Sequence, residues 1–268
     1  MPQRTLRLPG IERLDLPQTR QSIVPLHAYL RECILDGRIP PETKLSQAAL
    51  AEQLGVSRTP LREVLRMLQE EGLIESEPNQ RMRVAGFNPA ELDVTYGSRI
   101  VLECLAVAMT IGGFKAQQRR QAKAALTAMR RAARSRDVAA WFIAHGEYHH
   151  LLSAAADEPL RTQLRSLADR SARYIRIAQH VDPTDWQKAG DVEHPAILEA
   201  MVAGDERAAV SLTARHLEHT AVRVLTDCAS DYVLQAVPKA VALMDTAPAA
   251  LARASGNGHT VAGTDGDN

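Results

Sequence analysis

The sequence predicts a mainly α-helical chain in two parts: a small unit of three helices with a two-stranded hairpin, then a larger all-helical bundle. Three observations predict it. Leu50 to Glu75, LAEQLGVSRTPLREVLRMLQEEGLIE, reads as helix, tight turn, helix. Two short strand-like runs, Leu73 to Ser76 and Arg81 to Val84, follow around the turn Glu77-Pro78-Asn79-Gln80. From residue 88 to 237 the chain is Ala- and Leu-rich, with few β-branched runs and very few Gly or Pro.

Taken in order, residues 1 to 19 lack periodicity and predict a flexible arm. Val24 to Leu35 is amphipathic through Val24, Leu26, Tyr29, Leu30 and Ile34, and Gly37 with Pro40-Pro41 stops it. Lys44-Leu45-Ser46 opens the next helix, which Leu50 and Leu54 close. Gly55 supplies the turn, Val56 plugs the interhelical angle, and Ser57 sits at the N-cap of the following helix. There Leu61, Val64, Leu65 and Leu68 mark a buried face, while Arg58, Arg62 and Arg66 lie four apart on another. The arginines alone describe an ordinary surface helix. Their setting, with Thr59 and Pro60 in the first turn and a hairpin after Gly72, matches a recognition helix aimed at phosphates and guanine edges. Residues 20 to 87 thus predict a winged helix-turn-helix. Asn88-Pro89-Ala90-Glu91 has the pattern of a capping box and opens the second domain, residues 88 to 237. The remainder, 238 to 268, predicts a disordered tail.

Composition narrows the class. With 268 residues, 32 basic against 32 acidic, global charge gives no hint of nucleic acid, so that reading rests on local placement. Cys33, Cys104 and Cys228 are dispersed without metal-type spacing, which predicts free thiols in a reducing cytoplasm. No run reaches about 18 uninterrupted apolar residues, so no membrane partner is expected. Lys115 to Arg136 holds eight basic residues and no acidic one; a solvated helical face is the expectation over a second nucleic-acid surface.

Seven of nine histidines fall between His145 and His219. His145 and His149 are four apart, hence on one helical face. His194 lies on one arm of a hairpin turning at Gly204-Asp205, and His216 on the other. Ten residues down and eleven back, at about 1.5 Å each, bring those two level. Four imidazoles therefore have a route to convergence inside a bundle, a common place for metal sites. A polar lining without metal is the alternative. His150 and His219 point off these faces.

The string GRIPPETKLSQAALAEQLGVSRTPLREVLRMLQEEGLIE…RVAGF, over about Val24 to Phe87, resembles the DNA-binding domain of the GntR family of bacterial transcription regulators. Glu42 stands where the family usually has Gly, and Arg81 near the usual wing-tip Gly. The resemblance implies DNA contacts by Ser57, Arg58, Thr59 and Arg62, with Arg81 in the wing. RIVLE at Arg99, the YHHLLSAAADEPL region and VEHPAILEAMVAGDERAAVSLTARHLEHT resemble the FCD effector domain carried by one branch of that family, over about Ala90 to Leu234. It implies a divalent metal at the floor of a ligand cavity, its histidines falling on His149, His194 and His216, while His145 stands in place of an expected Asp. An all-imidazole set suits Zn, Ni or Cu. By the same resemblance Arg99 reaches the cavity to pair a carboxylate; an ion pair with Glu103 is its alternative. Arg173 and Tyr174 join as effector contacts because Tyr174, Ile177 and Leu167 look core-facing.

The expectation is a homodimeric regulator that binds an inverted-repeat DNA operator and answers to a small organic acid. A metal-dependent hydrolase is the rival, since an open position on the metal could activate water. Glu147, about 200° round the helix from His145, gives that rival no general base.

Overall fold

The computed structural model describes residues 8–17, 20–77, 81–181 and 188–254. The first domain holds α1 (Ile23–Leu35), β1 (Lys44–Leu45), α2 (Gln47–Leu54), α3 (Arg58–Glu70), β2 (Ile74–Glu77) and β3 (Arg81–Val84). Leu26, Leu30, Leu54, Leu61, Val64, Leu65 and Leu68 form its core, the same apolar spacing that makes each helix amphipathic. Gly55 closes α2 at φ 72°, and Ser46 caps its start by accepting from the Ala49 N–H. The sheet has three strands rather than the two expected: β3 lies between β1 and β2, with Lys44 opposite Arg83 and Ile74 opposite Val84. Lys44-Leu45 therefore pairs as a strand instead of opening α2, and Ser46 alone starts the helix. The wing turn Pro78-Asn79-Gln80 lies outside the described residues, as does the Arg81 side chain.

Glu42, expected to matter little, adopts a left-handed φ of 66°. That backbone costs a non-glycine residue about 1–2 kcal/mol. Its carboxylate reaches Arg83 at 2.5 Å, and Arg83 also pairs with Glu75 at 2.8 Å, so the turn is tied to the wing.

The flexible arm is corrected over residues 8–17. Ile11 is buried, the Gln53 amide donates to the Leu8 and Ile11 carbonyls at 2.7 and 2.9 Å, and the Leu14 N–H bonds the Leu54 carbonyl. An aperiodic segment can pack if its backbone groups find partners, and one glutamine supplies them. Residues 1–7, 18 and 19 lie outside the described residues.

The second domain comprises α4 (Pro89–Ile111), α5 (Ala116–Ser135), α6 (Val138–Leu152), α7 (Glu158–Val181), α8 (Lys188–Ala203), α9 (Glu206–Cys228) and α10 (Ala236–Ala254). Asn88 caps α4 by accepting from the Ala90 and Glu91 N–H groups, with Pro89 in the first turn. α4 is apolar enough to meet the length and composition test for a membrane span, but 61% of that window is buried inside the protein. It packs on α7, α9 and α10, while α5 pairs with α6 and α8 with α9. Asp205 caps α9 after Gly204 at φ 72°, making the α8–α9 hairpin. α8 begins at Lys188, before Pro195, so that proline lies inside the helix and does not open it.

The disordered tail is corrected up to Ala254. Asp93 of α4, 1% exposed, accepts from the backbone N–H groups of Gln235, Ala236 and Val237, capping α10 from across the domain. Pro238 then sits in the first turn, where no N–H is missed. Val237, Ala240 and Val241 bury against α4 and α9. Residues 255–268 lie outside the described residues.

Candidate functional site

On α3, Arg58, Thr59 and Arg62 are exposed on the helix's outer face, and neither arginine makes an ion pair. Ser57 occupies the N-cap but its hydroxyl makes no capping bond, so the oxygen is open to an outside group. Arg66, on the same face, is held by Glu63 and Glu70. Periodicity could not separate it from Arg58 and Arg62; the i+3 and i+4 carboxylates around it do.

The histidines meet in the bundle interior. His145 and His149 come from α6, His194 from α8 and His216 from α9. One nitrogen from each lies within 4.8 Å of the others, and the His145 and His149 Nε2 atoms are 3.2 Å apart. A tetrahedral ion with metal–nitrogen bonds of about 2.0–2.1 Å sets neighbouring nitrogens about 3.3 Å apart, so the donor set fits such an ion. Facing rings of His194 and His216, 4.4 Å between centroids, come from the level-matched hairpin. The Tyr148 hydroxyl donates to the His194 carbonyl at 2.6 Å and fixes α8 against α6. His145 stacks on Trp141, one turn earlier, at 4.6 Å and 17°.

Two carboxylates orient these rings. The Nδ1 of His149 faces the Glu103 carboxylate at 3.2 Å, and the Nδ1 of His216 faces Glu193 at 2.7 Å. A proton on each Nδ1 leaves Nε2 with a lone pair toward the centre. An all-imidazole set is therefore backed by two anions one bond away. Sequence reasoning passed over both because it sought ligands only, although Glu193 adjoins His194 and Glu103 follows Arg99 by one turn. Burial, then the neighbouring histidines, holds the His145 imidazole well below its usual 6.5. For His149 burial also lowers the value, against an opposing pull from Glu103. Neutral imidazoles are the form that ligates.

Arg99, 4% exposed, realises both of its expected roles. It lines two cavities beside the histidines, and its Nε bonds Glu103 at 2.6 Å. Burial would raise the Glu103 carboxyl, but Arg99 and His149 bring it down to about 2. His150 is exposed at the cavity rim, and His219 is 60% exposed with its Nδ1 2.7 Å from Glu193. Glu147 is exposed.

Arg173 and Tyr174 are corrected: neither lines a cavity. Arg173 donates to the Gly72 carbonyl at 2.5 Å and to Glu91 at 3.1 Å, and the Tyr174 hydroxyl donates to Glu91 at 2.7 Å. Beside them Arg31 of α1 bonds Asp169 of α7 at 2.5 Å and Glu71 at 3.3 Å. Their burial is the joint between the domains, which helical periodicity cannot tell from a cavity wall.

A winged helix-turn-helix with an open arginine face, joined to a helical domain with a buried histidine centre, defines a DNA-binding transcription regulator with a sensing domain. Residues 25–84 match the family of bacterial regulatory proteins called gntR, and residues 95–219 match the FCD domain. An uncharacterised HTH-type regulator from the TAR-I ttuE-ttuC' intergenic region of Agrobacterium vitis is 32% identical over 130 residues, 47% of this chain and 76% of that one. The Escherichia coli transcriptional repressor GlaR is 27% identical over 198 residues, 71% of this chain and 90% of that one. A transcriptional regulator solved from Rhodococcus sp. RHA1 superposes with a TM-score of 0.67 at 21% identity, over 80% of this chain and 100% of that one. The chain belongs to the GntR family, in the branch that carries an FCD domain.

Proposed function

We propose that this regulator represses transcription from an inverted-repeat operator as a homodimer, and that a small organic acid, bound on a Zn- or Ni-like ion, changes its operator affinity. The observation that carries the effector half is the four-histidine centre beside a cavity that Arg99 lines. Imidazole favours those ions over Mg, Ca or Mn, and a carboxylate can share the metal with a guanidinium partner. Repression is taken from the similar GlaR, a repressor by name. Ser57, Arg58, Thr59, Arg62 and Arg81 are the proposed DNA contacts.

A two-fold operator needs a two-fold protein. Val94, Leu105 and Met109 are 60, 50 and 47% exposed on one face of α4, an apolar stripe that a second copy would cover. Sedimentation should give twice the 29.3 kDa chain mass; a monomer with and without operator would exclude the dimer.

Elemental analysis after purification in metal-supplemented medium tests the centre. About one ion per chain is expected, falling to background in His149→Ala, with His145→Asp shifting preference toward Mn. Less than about a tenth of an equivalent, with stability unmoved by EDTA, would leave a metal-free pocket.

A further inference from the structure

The larger cavity at the histidine centre, about 380 Å³, is not enclosed by the helical domain alone. His145, His149 and Arg99 form one end. The opposite wall is α1 of the DNA-binding domain, through Arg31, Leu35 and Asp36, and α7 runs between the two. Small-ligand sites occupy about 300–1,000 Å³, so the space suits a molecule with a chain between its ends and not a lone acid group.

The end near α1 has its own anion-seeking group. Arg176 of α7 lines the cavity with its guanidinium 4.4 Å from the centre of the Phe142 ring. Burial lowers its pKa, Asp36 and Glu32 offset part of that cost, and Arg31 adds to it. A further negative charge there would be stabilised. Arg31 stands on the same wall. Its present partners are Asp169 and Glu71, the residue that terminates the recognition helix.

We infer that this cavity takes a ligand with two acidic ends, one met at the histidine and Arg99 end and the other by Arg176 and Arg31, so that the bound molecule touches the DNA-binding domain itself. The inference rests on the effector reading above and adds the ligand's shape and its second contact. It also gives the signal a short path. An anion that draws Arg31 away from Glu71 loosens the end of α3 without any change relayed through the bundle core. Such a ligand has differential affinity for two arrangements of the domains, as an effector must.

The test uses the full-length protein loaded with Zn²⁺ and the α,ω-diacids from malonate to suberate, each against the monoacid of equal length, by titration calorimetry. At the best length the diacid should bind about tenfold or more tightly than its monoacid, the worth of one charge-assisted contact. Arg176→Leu keeps an apolar stem over Phe142 and should erase that advantage while leaving monoacid affinity unchanged. Arg31→Gln, at a partly exposed site where folding is not at risk, should also weaken the diacid. The same variant should blunt diacid-induced operator release in fluorescence anisotropy. Equal binding of diacid and monoacid at every length, or an advantage that survives both substitutions, overturns the two-ended ligand and leaves the effector reading standing. Failure of every acid to bind sinks the effector reading, and this inference with it.

Discussion

Replacing Glu103 with Gln keeps the side chain's shape and removes its charge. Glu103 and its partner Arg99 are 8% and 4% exposed, with the guanidinium bonded at 2.6 Å. Glutamine would leave that guanidinium buried without a counter-ion, a change that costs about 3–5 kcal/mol. The carboxyl's own pKa gives a similar figure. Its descent from 4.5 to about 2 corresponds to about 3 kcal/mol at about 1.4 kcal/mol per pH unit. A domain is stable by about 5–15 kcal/mol in all, so the loss is large. Urea unfolding of metal-free protein at neutral pH, followed by helical circular dichroism, measures it. The sign follows from a folded pKa below the unfolded one. The stabilisation is complete above the ordinary carboxylate range and is lost as pH falls toward about 2, so wild type and Glu103→Gln should converge on acidification. The double variant Arg99→Met, Glu103→Leu removes both charges and should recover most of the loss. A single-variant loss under about 1 kcal/mol, or a double variant as unstable as the single, would refute the reasoning.

On the DNA face, Arg58→Ala and Arg62→Ala should each weaken operator binding by about 1–3 kcal/mol in anisotropy titrations. Arg66→Ala should cost far less, because Glu63 and Glu70 already hold that guanidinium; equal losses at all three would contradict the assignment. Metal content measured across pH should stay flat from neutral to about pH 6 and fall only below it, since burial keeps protons off His145. Loss of half the ion near pH 6.5 would show an imidazole of ordinary basicity. Glu42→Gly should be more stable to heat than Glu42→Ala by about 1 kcal/mol, as both lose the Arg83 pair but only glycine relieves the left-handed backbone. Identical melting temperatures would mean the turn relaxes without cost.

What could be read in advance follows the physics of each feature. Local periodicity carried α1, α2 and α3, because their buried leucines recur within a turn. The α8–α9 hairpin yielded to the same arithmetic, since Gly204-Asp205 marks the turn and rise per residue sets the level of His194 against His216. β1 escaped because two residues have no period; only β3 opposite makes Lys44-Leu45 a strand. Pro238 looked like an ending for lack of the partner that makes it a beginning. Arg173 and Tyr174 showed that burial was coming without showing against what. Glu103 and Glu193 carry no spacing of their own, and their role appears only when the histidines they hold are in place.

The cap on α10 has a consequence in time. Helix starts are usually satisfied by a residue next to them in the chain, but here the acceptor is Asp93, 142 residues before Gln235. During synthesis at about 5–20 residues per second, Asp93 waits roughly ten seconds or more for the amides it is shaped to receive. Until then α4 exposes the groove that α10 will fill, including Gly97, where an added methyl would stand 3.0 Å from Ala236. The long helix at the centre of the sensing domain is thus completed by almost the last segment to leave the ribosome. A nascent chain stalled before Gln235 should be trapped by proteases or chaperones at α4, and one stalled after α10 has emerged should not.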